Sequence, residues 1–303
     1  MGTPSDSGER PFLHGIFFTN DGGLRPPVRI LFFITLGVFL VLLCGAFTQP
    51  SLPLTASRAW ILFYLLADAA LLGETWLFLA GLERRSFRVF GLWFYPGWGK
   101  ELLLGIALGA GLQAVVAAGL VLTRAATFDG FSSGGSGALR GIAAAGILFI
   151  LAGSSEEIIF RGYLFQGMLR GQGQVAAILV FSILFGMGHL PNPSATPLST
   201  VNTILSGVLL AVAYLRTRGL WMPIGLHWAW NFFQGPVLSF PVSGLQIGPS
   251  LCKISLRGPG WLSGGAYGPE GGVLLTAACL AAIVWLARTR RFAPSPAMQK
   301  VLQ

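Results

Sequence analysis

Long apolar stretches, separated by short polar breaks, dominate the pattern of residues along the chain. A helix needs about 20 apolar residues to cross the hydrocarbon core of a bilayer. We predict eight such spans, of which the fifth and sixth are short and the seventh carries polar residues. Their approximate bounds are Ile30–Phe47, Ala59–Leu79, Leu102–Leu122, Ile142–Phe165, Val175–His189, Val201–Leu215, Leu220–Phe240 and Val273–Ala287. The pattern therefore predicts an all-α, polytopic membrane helix bundle of about eight transmembrane helices.

The composition supports a membrane protein and excludes several other classes. Of the 303 residues, 53% are hydrophobic and only 10% are charged, whereas an average soluble domain carries roughly 25% charged residues. The mean hydropathy is +0.70. These values exclude an ordinary soluble enzyme and a disordered chain. The three cysteines are scattered, which excludes a disulfide scaffold.

The basic residues flank the apolar runs, so the net charge of +9 indicates membrane topology and not a nucleic-acid partner. With the N-terminus placed in the cytoplasm, 15 of the 20 Lys and Arg residues fall in inner segments and five in outer ones. This bias predicts a multi-pass integral membrane protein with both termini in the cytoplasm.

Several ionisable side chains fall inside or at the edge of the apolar runs. A charged side chain there costs on the order of 2.5–3.5 kcal/mol on insertion scales, so each such residue is a candidate for function. They are Asp68, Glu74, Glu156, Glu157, Arg161, His189 and His227. The third histidine, His14, lies in the polar N-terminal tail. For Asp68 and Glu74 we expect only pairing with another helix.

The fourth span contains two adjacent glutamates that a helix points about 100° apart. Glu157 and Arg161 stand four residues apart in the favourable order for an ion pair, so Arg161 can neutralise Glu157. Glu156 is then free to act as a general base. A buried ion cluster that only packs helices is the structural alternative.

Each of the two histidines in the apolar runs shares a helix face with a residue one turn away. Phe185 and His189 are so spaced, and so are His227 and Asn231. A neutral imidazole can bind a metal or donate a hydrogen bond, and an amide can donate to an oxyanion. Each pair alone is equally compatible with helix packing.

Spacing indicates that these groups lie at a common depth. Gln172 marks the turn between the fourth and fifth spans, and Glu156 and His189 stand 16 residues before and 17 after it. At 1.5 Å per residue both lie roughly 25 Å from the turn. His227 stands nine residues after Arg218, roughly 14 Å from its own turn. For His227 to reach the same depth, the hairpin of the fourth and fifth spans must project about 10 Å further into the cytoplasm.

The ordered motifs Glu-Glu-x-x-x-Arg, Phe-x-x-x-His and His-x-x-x-Asn resemble those of the CAAX-protease and bacteriocin-processing family of intramembrane endopeptidases. Its eukaryotic members trim prenylated CAAX proteins. The resemblance covers about 142–240. The stretch from Asn20 to Arg29 is similar to the lead-in of many bacterial members, which implies a bacterial plasma membrane.

The resemblance implies a role for each motif residue. Glu156 matches the catalytic glutamate, and His189 matches the histidine that helps it to activate water. His227 and Asn231 match the pair that completes the site and stabilises the oxyanion. Glu157 and Arg161 match supporting positions.

Two mechanisms fit these residue types. Glu156 and His189 can polarise a water directly, with no cofactor. Alternatively Glu156, His189 and His227 can hold Zn²⁺, which leaves one open position. The sequence slightly favours the metal-independent mechanism. No HExxH motif occurs.

The chain divides into five segments on this interpretation. Residues 1–28 form a polar cytoplasmic tail, and 29–140 hold three transmembrane helices with their loops. The catalytic core of four helices is 141–240, followed by an irregular extracytoplasmic loop over 241–270. Residues 271–303 hold the last transmembrane helix and a basic cytoplasmic tail.

The leading functional hypothesis is an intramembrane endopeptidase that acts on a membrane-associated peptide or protein, including lipid-modified ones. A secondary transporter is the second, with Asp68, Glu74, Glu156 and Glu157 as a proton relay. A non-catalytic membrane adaptor on the same helical scaffold is the third. The expected partners are membrane lipid and a peptide substrate.

Overall fold

The structure is a computed structural model that describes residues 17–19, 23–51, 54–289 and 291–303. His14, Arg10 and most of the predicted tail over 1–28 lie outside the described residues, as do Asn20 of the lead-in and Arg290. The described part is a bundle of apolar helices with one small two-stranded sheet. The predicted all-α membrane bundle is confirmed.

The first half of the bundle consists of three long helices. Helix α1 is Pro26–Thr48, and its proline at the start has no N–H to leave unsatisfied. Helix α2 is Arg58–Trp76, capped by the Ser57 side chain and extended by a π-helical turn, Leu77–Leu82. Helix α3 is Trp98–Leu122. All three are long and apolar enough to cross a membrane.

The predicted fourth span is broken into two helices. Helix α4 is Gly135–Arg161 and helix α5 is Tyr163–Gly171. At the break, a Cβ atom on Gly162 would lie 1.9 Å from the carbonyl oxygen of Ile158. Only glycine allows this close backbone approach. Together the two helices form one apolar stretch of 37 residues.

The second half of the bundle brings three shorter helices around α4. Helix α6 is Gln174–Gly188, helix α7 is Pro197–Thr217 with a capping box at Thr196, and helix α8 is Trp221–Phe232. A π-helical turn, Phe233–Val237, extends α8. Of these, α7 alone meets the length and hydropathy of a span, whereas α6 is apolar but short.

The segment that follows is less irregular than the sequence suggests. Strand β2, Cys252–Leu256, pairs antiparallel with strand β1, Ala126–Phe131. The short helix α9 is Gly260–Ser263. The chain ends with the apolar helix α10, Val273–Arg288, and the short helix α11, Pro296–Leu302.

Glycines allow α3 and α8 to pack with their backbones nearly in contact. A Cβ atom on Gly105 would lie 2.1 Å from the carbonyl oxygen of Met222, and one on Gly109 would lie 2.4 Å from that of Leu226. Small residues at four-residue spacing permit such close packing in membranes. This contact fixes the position of α8, which carries His227 and Asn231.

Candidate active site

Side chains from three separate parts of the chain converge on Glu156, near the end of α4. Its Oε2 atom lies 3.7 Å from His227 Nε2, on α8, and 3.9 Å from His189 Nε2, directly after α6. Glu156 Oε2 is buried and has no hydrogen-bond partner among the described residues. A buried carboxylate oxygen without a partner is costly, so this site favours a polar ligand.

Both imidazole rings are fixed through their other nitrogen. His189 Nδ1 lies 2.8 Å from the carbonyl oxygen of Phe185, and His227 Nδ1 lies 2.8 Å from Glu157 Oε1. Because a carbonyl oxygen can only accept, Nδ1 of His189 carries a proton and donates it. In the neutral ring, His189 Nε2 therefore presents a lone pair towards Glu156.

Glu157 is fully buried behind the site and joins two partners. Arg161 Nη1 lies 3.2 Å from Glu157 Oε1, which is the pairing that the four-residue spacing predicts. Arg161 Nη2 also donates to the carbonyl oxygen of Gly207, on α7, at 2.8 Å. The pair is 0% and 1% exposed, so each charge depends on the other for compensation.

A cavity of about 360 Å³ opens onto these groups. Glu156, His189, His227 and Asn231 all line it. The two glutamates point in different directions, as their adjacent helical positions require, since Glu156 faces the cavity and Glu157 lies behind it. Four of the six candidate residues thus line one cavity, and the remaining two lie behind it.

The comparisons with known proteins find one family match. Residues 138–233, about a third of the chain, match the family model described as type II CAAX prenyl endopeptidase Rce1-like. Over these residues the chain is similar to the Rce1-like CAAX proteases. No curated protein and no solved structure matches it. The match confirms the expected resemblance to the CAAX proteases, a family of peptide hydrolases.

The Rce1-like match contains every candidate site residue, but segments outside it also contact the site. On α2, Tyr64 lines the cavity, and Asp68 accepts a hydrogen bond from Ser155, the residue before Glu156. Asp68, which the sequence leaves without a partner, therefore holds α4 next to Glu156. Glu74 does not line the cavity and lies against Gly37 of α1.

Glu270 also contacts the site from outside the match, and the sequence did not indicate it. Its Oε1 atom accepts a hydrogen bond from Trp230 Nε1 at 3.1 Å. Its Oε2 atom accepts hydrogen bonds from the backbone N–H and the hydroxyl group of Ser243. Asn202 donates to its carbonyl oxygen at 2.8 Å. Glu270 thereby ties the segment after α8 onto the cavity of the Rce1-like domain. A single acid in a glycine-rich segment gives no signal for this contact.

Metal binding receives no support from the geometry. Within the described ranges, no group of three or more His, Cys, Asp or Glu side chains is arranged to hold a metal ion. The expected zinc set of Glu156, His189 and His227 has suitable donor types. The Rce1-like match itself does not support a metalloprotease.

Proposed function

We propose that this protein is an intramembrane endopeptidase in which Glu156 and His189 activate a water, and His227 and Asn231 stabilise the oxyanion. The observation that carries the proposal is the convergence of two imidazole Nε2 atoms on one buried carboxylate oxygen. Peptide hydrolysis without a serine or cysteine nucleophile needs an activated water and an oxyanion site.

The distances suit a water between Glu156 and His189. Their separation of 3.9 Å is too long for a direct hydrogen bond, but one water can bridge it. The lone pair of His189 Nε2 accepts one water hydrogen and Glu156 accepts the other. Glu156 then takes the proton as the water oxygen bonds to the substrate carbonyl carbon.

His227 and Asn231, which line the same cavity, are suited to the negative charge that develops on the substrate oxygen. When His227 carries both ring protons, its Nδ1 donates to Glu157 and its Nε2 can donate to the oxyanion, as can the amide of Asn231 one helical turn away. When the carbon–nitrogen bond breaks, Glu156 returns its proton to the leaving amine. Glu157 and Arg161 act as positioning residues because they do not line the cavity.

The substrate in this proposal is a membrane-associated peptide or protein, and prenylated CAAX-type peptides are the first class to test. Apolar side chains, including Phe149, Val242, Leu245 and Ile247, line the cavity beside the polar groups. Such a lining accommodates apolar parts of a substrate. We place the protein in a bacterial plasma membrane, with lipid around the bundle and both termini in the cytoplasm.

The transporter hypothesis has less support. It requires Asp68 and Glu74 to belong to a proton relay with the two site glutamates. Asp68 is instead bonded to Ser155, and Glu74 lies at the α1–α2 contact. The adaptor hypothesis predicts no cleavage at all, so an activity assay distinguishes it.

The test is peptide cleavage by the purified full chain in lipid vesicles. Peptides ending in a CAAX sequence, with and without a prenyl group on the cysteine, are incubated with the protein and analysed by mass spectrometry. We expect cleavage of the prenylated peptide near its C-terminus, and we expect it to persist with a chelator. Failure to cleave either peptide would contradict the proposal, and loss of activity that added Zn²⁺ restores would contradict its metal-independent form.

A further inference from the structure

Three arginines surround a single glutamate at one end of the bundle, away from the candidate active site. Arg29 Nη1 lies 3.5 Å from Glu83 Oε1, and Arg85 Nη1 and Arg170 Nη2 each lie 3.6 Å from Glu83 Oε2. Tyr163 donates its hydroxyl hydrogen to Glu83 Oε1 at 2.6 Å. We call Arg29, Arg85 and Arg170 the arginine cluster.

The cluster is assembled by the ends of three spans. Arg29 lies in the first turn of α1, Glu83 and Arg85 follow the π-helical turn that extends α2, and Arg170 lies in the last turn of α5. These ends therefore meet at the same membrane face. By the Lys and Arg bias, this is the face that we place in the cytoplasm.

The protein does not satisfy the charge of the cluster. One carboxylate faces three guanidinium groups, so two positive charges remain uncompensated. All three separations exceed the roughly 2.7–2.9 Å of a charge-assisted hydrogen bond. Arg29 Nε is buried without a hydrogen-bond partner in the described part of the chain. Three like charges are held together here at a cost that a bound anion would offset.

The arrangement leaves the arginines accessible while their acid is covered. The side chains of Arg29, Arg85 and Arg170 are 27%, 32% and 41% exposed, whereas that of Glu83 is 7% exposed. Glu83 is thus buried beneath three partly exposed guanidinium groups.

We propose that the arginine cluster binds the phosphate group of an anionic lipid headgroup. Guanidinium groups match phosphate oxygens with paired hydrogen bonds, and basic pockets between transmembrane helices bind anionic headgroups. The bound phosphate joins α1, α2 and α5 through one ligand. This site does not depend on the peptidase mechanism and is tested without a peptide substrate.

The test measures binding of a short-chain phosphatidylglycerol to the detergent-solubilised full chain, with phosphatidylcholine as the neutral probe. We expect binding of phosphatidylglycerol alone, weakened about tenfold in Arg170→Gln and in Arg85→Gln as charge-assisted contacts are lost. Arg84→Gln is the matched control, because Arg84 is an exposed neighbour with no ion pair to Glu83. Size-exclusion chromatography and thermal unfolding verify that each variant is folded.

The outcomes distinguish specific binding at the arginine cluster from nonspecific attraction between basic residues and anionic lipid. Equal weakening in Arg84→Gln, or equal binding of phosphatidylcholine, would overturn the proposal. A parallel titration with inorganic phosphate separates the two sources of the anion. If phosphate alone bound as tightly, with the same dependence on Arg85 and Arg170, the lipid source would be overturned.

Discussion

Glu157 Oε1 and His227 Nδ1 lie 2.8 Å apart, although the residues are 70 positions apart in the chain. The contact joins α4 to α8 and fixes which nitrogen of His227 faces Glu156. The second glutamate of the pair therefore has two tasks: it compensates the buried charge of Arg161, and it orients an imidazole of the candidate site.

Neutralising Glu157 is expected to reduce both stability and activity. In Glu157→Gln, the fully buried Arg161 loses its carboxylate, and an uncompensated buried charge costs roughly 3–5 kcal/mol. Thermal unfolding in detergent and the peptide-cleavage rate measure the two effects.

The double variant Glu157→Gln/Arg161→Met separates the two tasks of Glu157. Because it removes both buried charges, we expect it to regain much of the stability. We do not expect it to regain activity, since His227 still lacks its carboxylate. Full activity in the double variant would show that Glu157 serves only to compensate Arg161.

The close packing of α3 on α8 predicts an unequal response at two neighbouring glycines. A Cβ atom on Gly109 would lie 2.4 Å from the carbonyl oxygen of Leu226. A Cβ atom on Gly111 would have no neighbouring atom of another helix within 4 Å. We expect Gly109→Ala to displace α8, lower the unfolding temperature and reduce cleavage. Gly111→Ala removes a helix glycine without a clash, so it should be neutral or stabilise by up to about 1 kcal/mol. Equal effects of the two variants would contradict this packing.

Asp68 is expected to position Glu156 through Ser155, the adjacent residue on α4. In Asp68→Asn the side chain keeps an oxygen that can accept from Ser155, whereas Asp68→Leu removes the acceptor. We expect Asp68→Leu to lower kcat several-fold more than Asp68→Asn, with little change in KM, because the reacting group moves and the substrate-binding walls do not. An equal loss in both variants, or a loss confined to KM, would argue against a positioning role.

The sequence was most informative where spacing along single helices decides the geometry. The Glu157–Arg161 pair follows from four-residue spacing on α4, and the common depth of Glu156 and His189 follows from their distances to the turn at Gln172. Apolar runs predicted the bundle, because membrane helices must bury their backbone hydrogen bonds within each segment.

Contacts between distant segments could not be read from the sequence. The Asp68–Ser155 hydrogen bond spans 87 positions, and the β1–β2 pairing joins two short segments that flank the matched residues 138–233 in the sequence. The break at Gly162 is hidden because the apolar pattern continues across it into α5. Each of these depends on tertiary packing, which hydrophobic periodicity does not encode.

The most direct test of the account compares the cleavage rates of Glu156→Gln and Glu74→Gln in lipid vesicles. Both variants replace a carboxylate on an apolar helix with an amide of nearly the same shape, but only Glu156 lines the cavity. We expect Glu156→Gln to fold normally and to lose at least about 100-fold in rate, as the loss of a general base predicts. We expect Glu74→Gln to retain most of the activity. A fully active Glu156→Gln protein would contradict the assignment of Glu156 as the base that activates water.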